Sequence, residues 1–407
     1  MNGTIIIGGG QAGVQVAISL RAGGYSLPIR IIGMEARLPY QRPPLSKAYL
    51  TGEVEADHLS LRPADFYQSQ GIDLQLGVAV ERLELAANRV LLTNGHKPDF
   101  DHLILATGSR NRPLGLAGSQ SRNVFSLRSL DDASALREAF ATAQKVVVIG
   151  GGFIGLEFAA VARKKGREVH IVEMQDRLIA RAVGPQVSTY YADLHRGHGS
   201  HLYLGTGVEK LAHDGGLVHK VVLSDGVELD CDLVVYGIGA MANAELAREA
   251  GLTVGMGIQV NGLMQTSHPK VLAVGDCAEH PNPFYHGGPL IRLESVQNAF
   301  DQGKAAAATV LGVGAPYHVV PWFWSDQFDA KLQTAGLSSG FDAQVVRGDV
   351  SLGKFSVFYF RQSRLIAVDS VNMSGEHMLS RRLLAQARPV LPEQVADVTV
   401  DLRQLLA

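Results

Sequence analysis

Apolar residues fall in short unbroken runs separated by polar turns. Ile5-Ile6-Ile7, Leu103-Ile104-Leu105, Val146-Val147-Val148-Ile149, Leu233-Val234-Val235 and Val271-Leu272-Ala273-Val274 hold no polar position. Runs of this length, apolar on both faces, predict buried parallel strands rather than amphipathic helices. The segments 29–33 and 168–173 predict two more. An alanine-rich stretch over 295–311 predicts a helix. From about residue 319 the pattern changes. Phe355-Ser356-Val357-Phe358-Tyr359-Phe360, the turn Gln362-Ser363-Arg364 and Leu365-Ile366-Ala367-Val368 predict a hairpin, and 376–388 an amphipathic helix with a basic face.

Two of the strand-like runs end in the same phrase. One continues into Gly8-Gly9-Gly10-Gln11-Ala12-Gly13, the other into Gly150-Gly151-Gly152-Phe153-Ile154-Gly155. In a Gly-x-Gly-x-x-Gly turn the first glycine allows a tight strand-to-helix turn. The second lets backbone approach a pyrophosphate, and the third lets the helix pack on the strand. The helix N-terminus then offers unpaired N–H groups to the phosphates. A single match is weak evidence, since a glycine-rich turn can be without a ligand; two in one chain predict two dinucleotide sites. Such sites want an acid at the end of the next strand for ribose hydroxyls. Glu173 fills that place in the second unit and favours NADH over NADPH, while Arg177 and Arg181 leave the 2′-phosphate open. In the first unit the place is taken by Met34, and Glu35 stands one position late.

The expected fold class is α/β: two Rossmann-like dinucleotide-binding domains plus a small α+β C-terminal domain. Residues 1–112 form the first segment of one domain and close on Ala106-Thr107-Gly108. Residues 113–241 form the second domain and close on a similar phrase, Gly237-Ile238-Gly239, so the second unit is a rough repeat of the first. Residues 242–318 return to the first domain, with Gly275-Asp276 ending a buried strand, and 319–407 form the cap.

The bulk of the chain narrows the function classes. At 407 residues, 46% hydrophobic and 19% charged, it reads as an ordinary globular protein of two or three domains. A formal net charge of −2 predicts no nucleic-acid field, and no apolar stretch reaches the length of a membrane span. A start that runs straight into the first strand predicts a cytoplasmic protein. Two cysteines, Cys231 and Cys277, exclude a disulfide framework, a four-cysteine iron–sulfur site and a Cys-x-x-Cys motif. Both read as structural thiols, with Cys277 the one candidate for a reactive thiol. Of the fourteen histidines, His195 and His198 stand at i and i+3, a spacing that is rarely a metal site.

Beyond the glycine turns, Pro39-Tyr40-Gln41-Arg42-Pro43-Pro44-Leu45-Ser46-Lys47, Val274-Gly275-Asp276-Cys277-Ala278 and Pro321-Trp322-Phe323-Trp324-Ser325-Asp326-Gln327 occur in that order. With these phrases the chain resembles, over nearly its whole length, the FAD-containing, NADH-dependent ferredoxin reductases of bacterial oxygenase systems. The resemblance implies a glutathione-reductase-like fold, with FAD in the first unit and NADH in the second. It implies that Gly8, Gly10, Ala12 and Gly13 line the FAD pyrophosphate. Glu35, Arg42, Pro44, Lys47, Val80, Ala106, Thr107, Gly108 and Arg128 would also meet FAD, together with Gly275, Asp276 and Val296. Gly150, Gly152, Ile154, Gly155, Glu157, Glu173 and Gly239 would hold NADH. Lys47 and Glu157 are expected to form an ion pair beside the flavin, with Trp324 near flavin and nicotinamide and Trp322 packing the cap. Lys47, Glu157 and Trp324 are thus the catalytic candidates for hydride transfer from NADH to flavin.

The implied partner is a 2Fe–2S ferredoxin serving an oxygenase, with a rubredoxin as the alternative and a monomer as the expected state. Arg361, Arg364, Arg381, Arg382 and Arg388 are either a solvated face or a rim that steers an acidic partner. A disulfide reductase of the same fold is excluded, because no cysteine precedes Cys231. An NADH oxidase or peroxidase would place a cysteine near Leu45-Ser46-Lys47. A redox sensor resembling apoptosis-inducing factor is a rival of another class.

Overall fold

The computed structural model describes residues 2–406. The first glycine phrase joins β1 (Thr4–Ile7) to α1 (Gln11–Ala22), followed by β2 (Ile29–Gly33), β3 (Ile72–Leu76) and β4 (His102–Leu105). A second series follows: β5 (Val124–Ser126), β6 (Lys145–Ile149), α2 (Phe153–Lys164), β7 (Glu168–Glu173), α3 (Pro185–Gly197), β8 (His201–Leu204) and β9 (Leu233–Tyr236). The chain then supplies β10 (Val271–Ala273) and α4 (Val296–Val310) to the first series. The Ser295 hydroxyl caps α4 by accepting from the Asn298 N–H.

The two parallel sheets have the same plan. The first runs β3-β2-β1-β4-β10 and the second β8-β7-β6-β9-β5. In each, the strand before the glycine phrase is central, and after its first residue, Thr4 or Lys145, it is apolar and buried because it is covered on both faces. An antiparallel excursion leaves each sheet, between β3 and β4 in the first (Val80–Glu84 with Arg89–Leu92) and between β8 and β9 in the second (Val208–Asp214 with Leu217–Leu223). The repeat expected from sequence is therefore real, with one difference. The fifth strand of the first sheet comes last in the chain, whereas that of the second comes first.

The C-terminal region is an antiparallel sheet of β11 (Trp322–Gln327), β12 (Ala330–Gly336), β13 (Ala343–Asp349), β14 (Lys354–Arg361) and β15 (Arg364–Val371), followed by α5 (Ser374–Ala385). Their order is β11-β12-β15-β14-β13. The β14–β15 hairpin turns on Gln362 and Ser363, both at positive φ, the conformation that matches strand twist. Helix α5 buries Leu383 and Leu384 and ends at Ala385, so Arg388, expected on its basic face, lies beyond the helix. Phe358, Phe360, Val368 and Leu383 form the core beneath it.

The molecule consists of two compact units. One comprises the chain as far as Gln41, Asp57–Arg110 and Met241–Pro321; the other comprises Arg42–Ala56, Asn111–Ala240 and the chain from Trp322. The segment Arg42–Ala56 is tied into the second unit by Tyr49 and Ser134, whose hydroxyls are 2.8 Å apart, and by Arg137 and Glu55, paired at 3.1 Å. Among the described residues no helix is long and apolar enough to cross a membrane.

Candidate cofactor and active site

The two glycine phrases are built alike, down to the contacts that demand glycine. Gly8 has φ +120°, and a Cβ there would lie 2.1 Å from the Ala106 carbonyl oxygen. Gly150 has φ +108°, and its Cβ would lie 2.5 Å from the Gly237 carbonyl oxygen. The small residues closing the fourth strands, Ala106-Thr107-Gly108 and Gly237-Ile238-Gly239, are thus the walls the turns press against. A Cβ on Gly13 or Gly155 would meet the carbonyl oxygen of Gly8 or Gly150 at 2.1 Å and 2.4 Å.

The middle glycines are different. Around Gly10 nothing of the protein lies within 4 Å of a Cβ, and around Gly152 only the Gly237 carbonyl oxygen, at 4.0 Å, is near. Packing does not explain these two glycines; a ligand whose backbone approach a methyl would block does. Gly10 and Gly152 are also the N-caps of α1 and α2, neither with a side-chain cap nor with an acid in the first turn. Both helix ends are therefore left open to an anion, and the residues fit a pyrophosphate in each unit.

The candidate acids of the two units are placed differently. Glu173 ends β7 and accepts from the N–H of Gly151 (2.6 Å) and of Gln175 (2.8 Å), which fixes its carboxylate beside the second turn. Arg177 is committed to the carbonyls of Ala180 and Val183 and to the Ser188 hydroxyl. Arg181 is exposed, and its guanidinium lies against Gly239. In the first unit Met34 is exposed, and Glu35, just after β2, accepts a 2.5 Å hydrogen bond from the Tyr40 hydroxyl.

The rest of the first unit's candidates lie around β4 and β10. The Thr107 hydroxyl donates to the Asn243 carbonyl (2.6 Å), and Asn243 answers to the Thr107 carbonyl (2.9 Å), pinning Ala106-Thr107-Gly108. Gly275-Asp276-Cys277 form a 3-10 turn after β10, and the Ser109 hydroxyl donates to the Asp276 carboxylate at 3.1 Å. Ala12 packs against Gly275, Val296 is the first residue of α4, and Val80 opens an antiparallel strand opposite Leu92. Cys277 is wholly buried with its thiol against the carbonyls of Leu105 and Val274, and burial pushes its pKa up. Burial pushes Cys231 up to about 12. Neither is a reactive thiol.

In the second unit the structure brings Lys47 and Glu157 together. Pro43-Pro44 start a 3-10 turn over Pro43–Ser46, which delivers Ser46 and Lys47 in succession to α2. Lys47 Nζ lies 2.9 Å from Glu157 Oε1, and Ser46 Oγ donates to Glu157 Oε2 at 2.7 Å. From β11, Ser325 Oγ donates to Glu157 Oε1 at 2.7 Å. The Glu157 side chain is 6% exposed and that of Lys47 23%, so the carboxylate is inside and the ammonium reaches outward. Arg42 donates to the Arg128 carbonyl at 2.6 Å. Ile154 is exposed in the first turn of α2, and Phe153 packs on Phe323 with ring centroids 4.6 Å apart. Trp324 is partly buried and lies 5.6 Å from Trp322, which packs under Arg381 and near His377 of the cap.

Sequence reasoning named Glu157 and Lys47 but assigned no part to Ser46 or Ser325. Ser46 could have been found as the neighbour of Lys47; nothing local links Ser325 to a carboxylate on α2. His195 and His198 are not a metal pair: His195 bonds Gln327 at 3.0 Å, and His198 stacks on Phe328. Among the described residues no cluster of three His, Cys, Asp or Glu could hold a metal.

Comparison with known proteins agrees with this architecture. Rhodocoxin reductase of Rhodococcus erythropolis is 46% identical over 403 residues, 99% of this chain and 94% of that protein. The crystal structure of a ferredoxin reductase from Rhodopseudomonas palustris is similar with a TM-score of 0.97 and 44% identity, covering 100% of both chains. The covalent putidaredoxin reductase–putidaredoxin complex gives 0.96 and 40%, covering 100% of this chain and 98% of the other. Residues 322–406 match the Reductase C-terminal family. Residues 3–303 match Pyridine nucleotide-disulphide oxidoreductase, and the chain belongs to that family.

Proposed function

We propose that this protein is an FAD-containing reductase that takes hydride from NADH and passes single electrons to a 2Fe–2S ferredoxin serving an oxygenase. The observation that carries the reading is the pair of matching cradles, each kept clear at its middle glycine, in a chain with no cysteine pair to reduce. Full-length similarity to ferredoxin reductases supports the choice of partner.

FAD, when bound, would supply the redox chemistry that joins a two-electron donor to a one-electron acceptor. The chain's residues bind, orient and charge the site. The N–H groups opening α1 and α2 take the pyrophosphates, and Glu173 takes the ribose hydroxyls of NADH. Arg42, Arg128 and Asp276 are assigned to FAD. Lys47 would hold a positive charge at the flavin, Glu157 would aim it, and Trp324 would stand near flavin and nicotinamide. No general acid or base is required. We place the protein in the cytoplasm as a monomer; two buried, unpaired cysteines suit reducing surroundings.

The test is reduction of cytochrome c by NADH with the yellow holoprotein, with and without a 2Fe–2S ferredoxin. Strong dependence on the ferredoxin supports the reading, and the same assay with rubredoxin measures partner choice. A long-lived charge-transfer complex with no ferredoxin effect would instead favour a redox sensor.

A further inference from the structure

We propose that Ser325, backed by Gln327 and His195, is the positioning residue that holds the Glu157–Lys47 pair in its working geometry. The proposal rests on the reductase reading and deepens it.

The four residues form one buried chain of hydrogen bonds. His195 Nε2 lies 3.0 Å from Gln327 Oε1, Gln327 Nε2 donates to Ser325 Oγ at 3.2 Å, and Ser325 Oγ donates to Glu157 Oε1 at 2.7 Å. Ser325 and His195 are 0% exposed and Gln327 is 1% exposed. Strand alternation puts Ser325 and Gln327 on the inward face of β11, while Asp326 between them is exposed.

The direction of the chain follows from its chemistry. The Ser325 proton is used on Glu157, so its oxygen can only accept from Gln327, and the amide NH2 must face it. The amide oxygen then faces His195, which must carry its proton on Nε2. His195 Nδ1 has no partner, as that tautomer allows, and burial lowers its pKa to about 4, so it stays a neutral donor. Every proton points towards Glu157. With Ser46 on Oε2 and Ser325 on Oε1, the carboxylate cannot turn away from Lys47. A buried polar chain three residues deep behind an ion pair is costly, and its product is orientation.

The experiment compares wild type, Ser325→Ala, Lys47→Ala and the double variant as FAD-loaded proteins. It measures flavin content, melting temperature, the single-turnover rate of flavin reduction by NADH and the flavin midpoint potential. Ser325→Ala is expected to keep FAD and KM for NADH, to slow flavin reduction about five- to tenfold and to shift the potential negative. The double variant is expected to match Lys47→Ala alone, because both act through one charge. Wild-type rate and potential in Ser325→Ala, or losses that multiply in the double variant, would overturn the proposal. If Ser325→Ala does not fold, Gln327→Met keeps the volume without the bonds and must give a smaller shift of the same sign; no shift overturns it. If NADH fails to reduce the wild-type flavin, the reductase reading falls with it. If only Lys47→Ala has an effect, this inference alone fails.

Discussion

Lys47 Nζ and Glu157 Oε1 are 2.9 Å apart, and the two side chains are unequal in exposure, 23% against 6%. A pair of this kind gives little net stability, since desolvating the carboxylate offsets the attraction. Its value is in holding one charge still. Replacing Lys47 by alanine should therefore leave FAD bound and slow hydride transfer by about 100-fold. Stopped-flow bleaching of the flavin checks this, and an unchanged rate would contradict it. Arginine should not restore the rate, because its planar fork cannot occupy the point position of an ammonium.

The two glycines of one turn should fail in different ways. Gly152→Ala meets only one atom, at 4.0 Å, so melting temperature and flavin content should stay as in wild type while KM for NADH rises about tenfold or more. Gly155→Ala puts a methyl 2.4 Å from the Gly150 oxygen, so the turn must shift and the melting temperature should fall by several degrees. Thermal melts and NADH titrations of the two variants separate the roles.

Glu173 is held by two backbone N–H groups, and we assign to it the preference for NADH. Glu173→Ala should raise KM for NADH about tenfold, the worth of charge-assisted hydrogen bonds, with kcat little changed. It should also raise the relative efficiency with NADPH, because the repulsion of a 2′-phosphate is gone. The ratio of kcat/KM for the two coenzymes is the measurement.

Asp369 is buried on β15, where the Tyr359 hydroxyl donates to it at 2.8 Å, and burial raises its pKa to about 7. Its folded pKa lies above the ordinary 3.8, so the native state binds the extra proton between those values. The stability from Asp369 is thus fully present below pH 3.8 and lost as pH rises to about 7. His195, His280 and His377 have the opposite sign: burial lowers each to about 4, and their contribution, present above 6.5, is lost as pH falls through 4. Asp369→Asn should remove only the first trend. Its melting temperature relative to wild type should rise between pH 5 and pH 8, and a constant difference would show that Asp369 does not titrate in that window.

The sequence was most readable where one physical demand acts locally. Short apolar-rich runs and an alanine-rich stretch mark their own limits, so β2, β7 and α4 were placed to within a residue of their ends. The glycine turns were readable because steric contact leaves one residue type. The partners of Glu157 were not readable. Ser325 lies on an edge strand far along the chain, and no periodicity links a serine to a carboxylate it meets only after folding. The end of α5 was overextended because Gln386 and Arg388 beyond Ala385 continue the polar pattern without the buried face. Trp322 against α5 agrees with its assignment to the cap.

The edge strand β10 closes the first sheet with residues 271–273, after the whole of the second sheet has been spelled out. On the ribosome the N-terminal half must therefore wait, its β4 edge unpaired, while the inserted half already owns all five of its strands. The sheet begun first in the chain is therefore the one completed last: the second has all its strands by Tyr236, and the first gains its edge strand only at Val271–Ala273.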